Sequence, residues 1–527
     1  MRQLVGVVDS QESVARDASA IGRGAPSRAL MQRAGAAAAT EIALRCRDRL
    51  DAGVLVLAGP GNNGGDAWVV AGALAAAGVR IRVVEPVAAK TDDARAERES
   101  AMQRLDPSSV ESRATALSDH GERLVVDGLL GTGASGSPRE PIASAIAVAN
   151  EMRARGAIVV SIDVPSGLDA TTGFIGDPAI SADVTLTFGA IKRGLLINRE
   201  HAGGIVALDI GLPPIADDGS PIPLLVDEWW VASRVPPIGA DAHKGVRKKL
   251  AIVGGAPGMA GASVLAARSA MRSGVGMVKL VVDARSLAAV QETEPNALAA
   301  TWPADDGAMR AIAEWADAVV IGPGLGRSEE SRALLDRVLR VWRGPTLLDA
   351  DALTLWAGHA ADLGAALGAR PALITPHVAE FARLAGTDAG TVLNERFHIG
   401  AELARILGAA VLLKGVPTVV TASDGTRRLV SATGTPALAT GGSGDLLSGI
   451  AGTMLAQIGD PFVAGAVAAW VHGRAAERVP ATRGVRGIVL DDVVSELRES
   501  WTFDARPTRY PVLAELPSLG PSRRPAV

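Results

Sequence analysis

Short runs of consecutive apolar residues recur along the chain, separated by alanine-rich stretches with polar residues at helical spacing. In the first half the runs are VLVLA (54–58), IRVVE (81–85), LVVDGLLG (124–131), AIVVSIDVP (157–165) and VTLTFG (184–189), with helices expected at 66–77 and 141–155. Runs this short and this apolar read as strands buried on both faces. Their alternation with helices predicts a parallel sheet joined by right-handed crossovers. Residues 211–223 (GLPPIADDGSPIP) and 234–245 (RVPPIGADAHKG) interrupt the pattern with the composition of a linker. The alternation restarts with KLAIVGG (249–255), VKLVVD (278–283), AVVIGPG (318–324), PTLLDADAL (345–353), PALITP (371–376), AVLLKG (410–415) and TVVTA (418–422). Helices are expected there at 261–274, 444–456 and 462–476. The reading is two α/β domains, 1–222 and 223–505, and a tail, 506–527, whose prolines among Ser and Arg predict disorder.

Composition narrows the function. The 527 residues carry 53 Lys+Arg against 57 Asp+Glu, a net charge of −4. That leaves no basic excess for nucleic acid or an anionic membrane surface. At 48% hydrophobic residues, general disorder is excluded. The single cysteine, Cys46, rules out an intrachain disulfide framework and a Cys-based zinc site, and fits a reducing compartment. The start, MRQLVGVVDSQESVARD, turns acidic before a signal-peptide core forms, and the best apolar run, PFVAGAVAAWV (461–471), is too short to span a bilayer. A cytoplasmic protein is expected.

Gly59-Pro60-Gly61-Asn62-Asn63-Gly64 fits GxGxxG between a strand and a helix, and Glu85 ends the next strand where a ribose-binding acid would sit. Read mechanically, this is an NAD-dependent dehydrogenase. Asp66 argues against hydride transfer, because a carboxylate at the helix start faces the pyrophosphate that the helix terminus attracts. Asn62 and Asn63 add amides suited to coordination and directed hydrogen bonds; the bland reading of the loop alone is a Gly-rich turn with Asn in left-handed geometry. Asp127 ends LVVD, and Asp163 ends AIVVSID just before Pro165, Ser166 and Gly167. Ligands of open parallel sheets bind beyond the carboxyl ends of strands, so Asn63, Asp127 and Ser166 can meet at one spot. An amide oxygen, a carboxylate and a hydroxyl suit an alkali or hard divalent ion rather than zinc, while each Asp alone is also readable as a loop cap.

Together GPGNNGGDA, VVDGLLGTGASG, SIDVPSGLDA and LTFGAIKRG resemble the NAD(P)H-hydrate epimerase family over nearly all of residues 1–222. The resemblance implies a Rossmann-like three-layer domain, a bound potassium ion (K+) and interconversion of the R and S epimers of hydrated NADH or NADPH. It implies Asn63, Asp127 and Ser166 as potassium ligands. It implies substrate contacts from Asn62, Asn63, Gly64, Gly65 and Asp66, from the loop Gly131, Thr132, Gly133, Ala134, Ser135, Gly136 and Ser137, and from Asp163. Asp163 is the candidate for acid–base work at C6, with Lys192 second. Ala67 stands where the family usually continues with Gly.

In the second half, Gly441-Gly442-Ser443-Gly444-Asp445 precedes the apolar helical run LLSGIAGTML. Glycines at a helix N-terminus let backbone N–H groups converge on an anion, and an Asp in the first turn can take a proton from an attacking hydroxyl. The bland reading is a Gly turn with an N-terminal Asp. Lys414-Gly415-Val416-Pro417-Thr418 suits a nucleotide phosphate or is a surface hairpin; Gly322-Pro323-Gly324-Leu325-Gly326-Arg327 lets backbone approach a ligand; Thr375-Pro376-His377 follows a strand, with Glu380 three residues on. Asp349 and Asp351 in LLDADAL could serve magnesium or structure and stay unassigned.

GMAGASVLAARSAMRSGVG, GPGLGR, LITPHVAEF, KGVPT and GGSGD together resemble the ADP/ATP-dependent NAD(P)H-hydrate dehydratase family over roughly 231–500. The order of the two domains is that of the bifunctional NAD(P)H-hydrate repair enzymes. The resemblance implies a ribokinase-like α/β fold, and Ala262, Gly326, His377 and Asp445 on the hydrate. Lys414, Gly415, Val416, Pro417, Thr418 and Gly444 would hold ADP or ATP, with Mg2+ assisting and homo-oligomers common. Ala379 departs from the family's usual Gly. The runner-up is a ribokinase-like kinase of a small vitamin-like alcohol fused to a nucleotide-binding module; a non-enzymatic interaction protein is a distant third.

Overall fold

The computed structural model describes residues 3–112, 121–215, 221–479, 485–504 and 506–519. The chain forms two compact units: Met1–Ile215 together with the chain from Pro507 onward, and Ala216–Arg506. Among the described residues no helix is long and apolar enough to cross a membrane.

In the first unit the apolar runs line up as Val512–Leu516, Gly204–Leu208, Val184–Phe188, Ile158–Ile162, Leu124–Gly128, Val54–Ala58, Ile81–Val84 and Val110–Glu111. All neighbours are parallel except Val512–Leu516, which pairs antiparallel with Gly204–Leu208. Alternate residues feed two cores. Val54, Val56 and Val126 pack with Ile42 and Trp68 from the helices Ser27–Arg45 and Asn62–Ala76, while Leu55, Leu57 and Val125 pack with Ile146 and Ala149 of the helix Ile142–Ala154. Burial on both faces is why these strands lack the usual polar alternation. From Val54–Ala58 the chain works toward one edge; at Leu124–Gly128 it returns to the other side. The crevice at this switch point is where an open α/β sheet places a ligand. A small parallel pair, Val7–Val8 with Ile191–Lys192, brings the N-terminal helix Ser10–Gly22 alongside.

The described part of the tail, residues 506–519, departs from the expectation of disorder; residues 520–527 lie outside the described residues. Val512, Ala514 and Leu516 are buried and alternate with Leu513 and Glu515, the period-2 pattern of a half-buried strand. Prolines flank it without interrupting it, which an edge strand tolerates.

The second unit has a ten-stranded sheet in the order Leu224–Leu225, Arg428–Ser431, Thr418–Thr421, Ala410–Leu413, Ala372–Ile374, Thr346–Leu348, Ala318–Ile321, Lys249–Val253, Met277–Val282 and Leu298–Thr301. It is parallel except for the two hairpin pairings through Thr418–Thr421. Ala251, Val253, Val319 and Ile321 pack on Leu335 and Val338 of the helix Glu329–Val341. On the opposite face the helix Ser443–Ile458 lies close: a Cβ on Gly452 would sit 2.4 Å from Val320. The expected α/β architecture is present in both units. Residues 234–245, read as a linker, lie inside the second unit.

Candidate functional site

The helix after the first strand begins at Asn62, four residues before the expected start. A Cβ on Gly64 would lie 1.8 Å from the Gly59 carbonyl oxygen, so only glycine lets the first helical turn fold back on the strand end. Asn62, Asn63, Gly64, Gly65 and Asp66 therefore stand in the helix, not in a loop before it. Ala67 is fully buried and packs toward Gly128, so the departure from glycine there fills space.

Asn63, Asp127 and Ser166 converge. Asn63 Nδ2 donates to the carbonyls of Leu130 (2.8 Å) and Ile162 (3.0 Å), and its Oδ1 is buried without a partner. Asp127 is wholly buried. One oxygen accepts from Ser166 Oγ (2.6 Å) and the Leu129 N–H (3.2 Å), the other from the Ser166 N–H (2.9 Å) and Ser161 Oγ (2.8 Å). Burial pushes the Asp127 carboxyl up, and these hydrogen bonds partly offset the rise. Ser166 Oγ also accepts from the Leu130 N–H (2.9 Å), so a single residue, Leu130, ties the amide and the hydroxyl together. The loop from Gly131 to Ser137 starts over Asn63, since a Cβ on Gly131 would meet the Asn63 side chain at 3.1 Å. It is held at its far end where Ser137 Oγ accepts the Asp177 N–H (3.1 Å).

Asp163 follows the strand Ile158–Ile162 at φ 62°, a left-handed conformation that a non-glycine residue rarely takes. Its Oδ1 accepts from Lys192 Nζ, Thr187 Oγ1 (3.2 Å) and the Phe188 N–H (3.3 Å). Lys192 is buried and also donates to Thr187 Oγ1 (3.1 Å) and the Phe188 carbonyl (3.2 Å). Burial, together with the charges of Asp163 and Asp17, pushes the Asp66 carboxyl well above the usual carboxylate range. Burial also raises Asp17; Lys192 opposes the rise and Asp163 adds to it. Asp17, on the helix Ser10–Gly22, was not a sequence candidate: it gains meaning only because Val8 pairs with Lys192.

In the second unit the candidates again gather at strand ends. Gly442, at φ 94°, begins the helix Ser443–Ile458, and Asp445 lies in its first turn. A Cβ on Gly444 would sit 3.1 Å from Lys414 Nζ, which places the ammonium under the helix N-terminus. Lys414 Nζ donates to Asp349 Oδ1 (2.6 Å). Burial works against the ammonium, yet Asp349 and Glu380 hold its pKa above the usual value. The Asp445 carboxyl is pushed up to about 7, first by burial and then by Asp349, with Lys414 opposing and Asp351 and Glu380 adding to the rise. Gly415, Val416, Pro417 and Thr418 form a tight turn in which Thr418 Oγ1 donates to the Gly415 carbonyl (3.0 Å). Ala262 abuts the Gly322–Arg327 segment, where a Cβ on Gly324 would lie 3.2 Å from the Ala262 Cβ. The Gly326 N–H donates to Asp351 Oδ2 (3.0 Å).

His377 caps the helix Val378–Ala385. Its Nδ1 accepts from the N–H groups of Ala379 (3.1 Å) and Glu380 (3.3 Å), and Glu380 Oε2 accepts the His377 N–H (2.9 Å). With Nδ1 an acceptor, a neutral His377 carries its proton on Nε2, which lies 3.5 Å from Glu380 Oε1. Ala379 takes its place in this cap without disturbing it. Asp349, Asp351 and Glu380 are the residues that sequence reasoning left without a role here; they lie far along the chain from Lys414 and Asp445, and only strand order brings them together.

Residues 27–194 match the family described as YjeF-related protein N-terminus, and residues 250–499 the family described as NAD(P)H-hydrate dehydratase. The chain is 38% identical over 507 residues to the bifunctional NAD(P)H-hydrate repair enzyme Nnr of Salinibacter ruber, covering 89% of this chain and 91% of that one. It is 35% identical over 453 residues to the protein of the same name from Escherichia coli, covering 84% of each. A crystal structure of ADP/ATP-dependent NAD(P)H-hydrate dehydratase from Bacillus subtilis with ATP and Mg2+ is 28% identical, covering 52% of this chain and 96% of that one at a TM-score of 0.45. With both halves matched in order along most of its length, the chain belongs to the family of bifunctional NAD(P)H-hydrate repair enzymes.

Proposed function

We propose that the first unit epimerises hydrated NADH and NADPH at C6 and that the second dehydrates the S epimer at the expense of ADP or ATP, through the residues described above. The observation that carries the reading is the Asp445 carboxyl at a glycine-built helix N-terminus whose first turn also has the Lys414 ammonium under it, close enough for its charge to act on Asp445.

Hydroxide leaves the reduced ring poorly. A phosphoryl group makes it departable. Asp445 takes the proton of the C6 hydroxyl as that oxygen attacks the terminal phosphorus of ADP or ATP, and AMP or ADP leaves. Phosphate then departs from C6, the ring nitrogen supplies electrons, and loss of a proton from C5 restores the double bond of NAD(P)H. Lys414 and the N–H groups around Gly444 neutralise charge that builds on the phosphate, while Gly415, Val416, Pro417 and Thr418 hold the nucleotide. His377, Gly326 and Ala262 orient the hydrate. Among the described residues no group of three or more His, Cys, Asp or Glu side chains could hold a metal. Magnesium of the usual kind, bound mainly by phosphates and water, fits such a site as a companion of the nucleotide, where it adds charge neutralisation.

In the first unit, the hydroxyl at C6 leaves and returns on the opposite face. Asp66, with its raised pKa, is the proton donor, and Asp163 against Lys192 is the acceptor. Asn63, Asp127 and Ser166 fit a potassium ion: the Asn63 Oδ1 is a buried acceptor without a partner, and the donor set is all oxygen. Such an ion would fix the helix start at Asn62 against the loop that begins at Gly131. A cytosolic homo-oligomer is the setting we expect.

The test supplies the purified chain with a mixture of both hydrate epimers and ADP or ATP, and follows recovery of absorbance near 340 nm. Wild type repairs both epimers, Asp445→Ala neither, and Asp163→Ala only the S fraction. Stable accumulation of a phosphorylated alcohol, with no NAD(P)H, would overturn the reading in favour of a kinase.

A further inference from the structure

The strand Thr346–Leu348 ends in Asp349, Ala350 and Asp351. Ala350 has φ 51° and ψ −122°, a conformation in which a Cβ is crowded. This strained residue sends two carboxylates to different partners. Asp349 is 1% exposed; its Oδ1 accepts from Lys414 Nζ (2.6 Å) and its Oδ2 from Ser448 Oγ (2.5 Å), one turn into the helix that carries Asp445. Asp351 is 9% exposed; its Oδ2 accepts the Gly326 N–H (3.0 Å) and its Oδ1 the Arg327 Nε–H (2.9 Å). Gly322 packs closely on this strand end: a Cβ there would lie 1.8 Å from the Asp349 carbonyl oxygen.

We propose that Asp349 and Asp351 are positioning residues that form a two-sided brace: Asp349 sets Lys414 and the helix for the nucleotide, and Asp351 sets the Gly326 segment for the hydrate. This rests on the assignment of Lys414 to the nucleotide and Gly326 to the hydrate. The physical reason for a brace is that phosphoryl transfer needs the hydroxyl and the phosphorus in line, and ångström-scale slippage costs orders of magnitude in rate. A buried carboxylate receiving an ammonium and a hydroxyl can hold both only while its own backbone cannot swing. Two carboxylates on one strained, three-residue segment tie the two ligand sides to the same strand end. A scaffold role alone would have no reason to give one carboxylate to each side.

The test measures steady-state dehydration of the S hydrate by Asp349→Asn, Ser448→Ala, Asp351→Asn and Arg327→Gln in the full chain. Near-ultraviolet circular dichroism and the inactivation temperature of the dehydratase, taken on the same preparations, are the check on folding. Losing a charge-assisted hydrogen bond predicts a roughly 10- to 100-fold rise in KM for ADP or ATP in Asp349→Asn, with the hydrate KM within about twofold. Asp351→Asn shows the reverse split. Ser448→Ala and Arg327→Gln remove one neighbour of each carboxylate while leaving it in place, and give the same two splits at roughly three- to fivefold. These milder variants keep the question answerable if an Asp variant fails to fold. Splits that vanish, or that move both KM values together, overturn the brace. A wild-type chain that fails to regenerate NAD(P)H overturns the functional reading instead.

Discussion

The Lys192 ammonium lies against the Asp163 carboxylate, inside a first-unit site where Asp66 and Asp17 are both held above their ordinary pKa. One buried cation thus faces a carboxylate fixed by three donors, in a conformation that its backbone resists. Replacing Asp163 by Asn keeps the shape and removes the acceptor. Epimerisation of the R hydrate should fall by about 10²- to 10⁴-fold, the worth of a general acid–base group. Dehydration of pure S hydrate should be unchanged. Lys192→Met should slow epimerisation as well, since Asp163 keeps only Thr187 and the Phe188 N–H. Chiral separation of residual hydrates reads both; equal loss of the two activities would count against the assignment.

The Asp445 carboxyl, near 7 in the folded protein, predicts a pH dependence with a definite sign. As a base it works only when ionised, so kcat/KM for dehydration should fall about tenfold per pH unit below about 7. The stability consequence runs the other way. The unfolded carboxyl titrates at about 4, so between there and about 7 folding takes up a proton, and stability falls as pH rises through that window. Asp445→Asn should therefore melt higher than wild type at pH 8 while losing dehydration entirely. A melting gain that is equal at pH 4 and pH 8 would sink the claim.

The strand Val512–Leu516 predicts that the end of the chain stabilises its beginning. It covers the edge of Gly204–Leu208, and Glu515 receives both terminal nitrogens of Arg45 (2.7 and 3.0 Å). Arg509 donates to Glu41 (2.5 Å), which is wholly buried and otherwise receives Arg45 Nε (2.8 Å). Truncation after Arg506 uncovers the edge and leaves Glu41 with one partner. A loss of about 3 kcal/mol corresponds to roughly 6–12 °C for a unit of this size. The inactivation temperature of the epimerase should fall by that much, and that of the dehydratase should hold.

Most of the fold was legible because both sheets are buried on two faces. VLVLA or AVVI can only be a central strand in such a setting, and the glycine runs mark the ends where ligands lie. The tail strand was masked by its prolines, although VLAEL carries the alternation. Val7–Val8 and Ile191–Lys192 are too short to signal pairing. The candidate-site residues themselves were readable where a motif holds them within a few positions, as in Asn62–Asp66 or Gly441–Asp445. Asp17, Asp349 and Asp351 were not, because their meaning depends on strand order: Asp349 meets Lys414 only because Thr346–Leu348 and Ala410–Leu413 flank Ala372–Ile374.

The Asn63 Oδ1 is buried and receives no hydrogen bond. An acceptor buried without a donor costs about 1–3 kcal/mol, and a wholly buried Asp127 adds the cost of desolvating its charge. A cation in reach of both relieves the two costs at once, and the Ser166 hydroxyl completes an all-oxygen set. Potassium should therefore stabilise the first unit. At a concentration 100 times its Kd the gain is about 2.7 kcal/mol, or roughly 5–10 °C in the inactivation temperature of the epimerase. Sodium, which holds its hydration water more tightly, should give less. Asp127→Asn keeps the shape, loses the charge, and should lose the response. If potassium and sodium chloride shift the wild type equally, the gain is a salt effect, and the orphaned oxygen has another explanation.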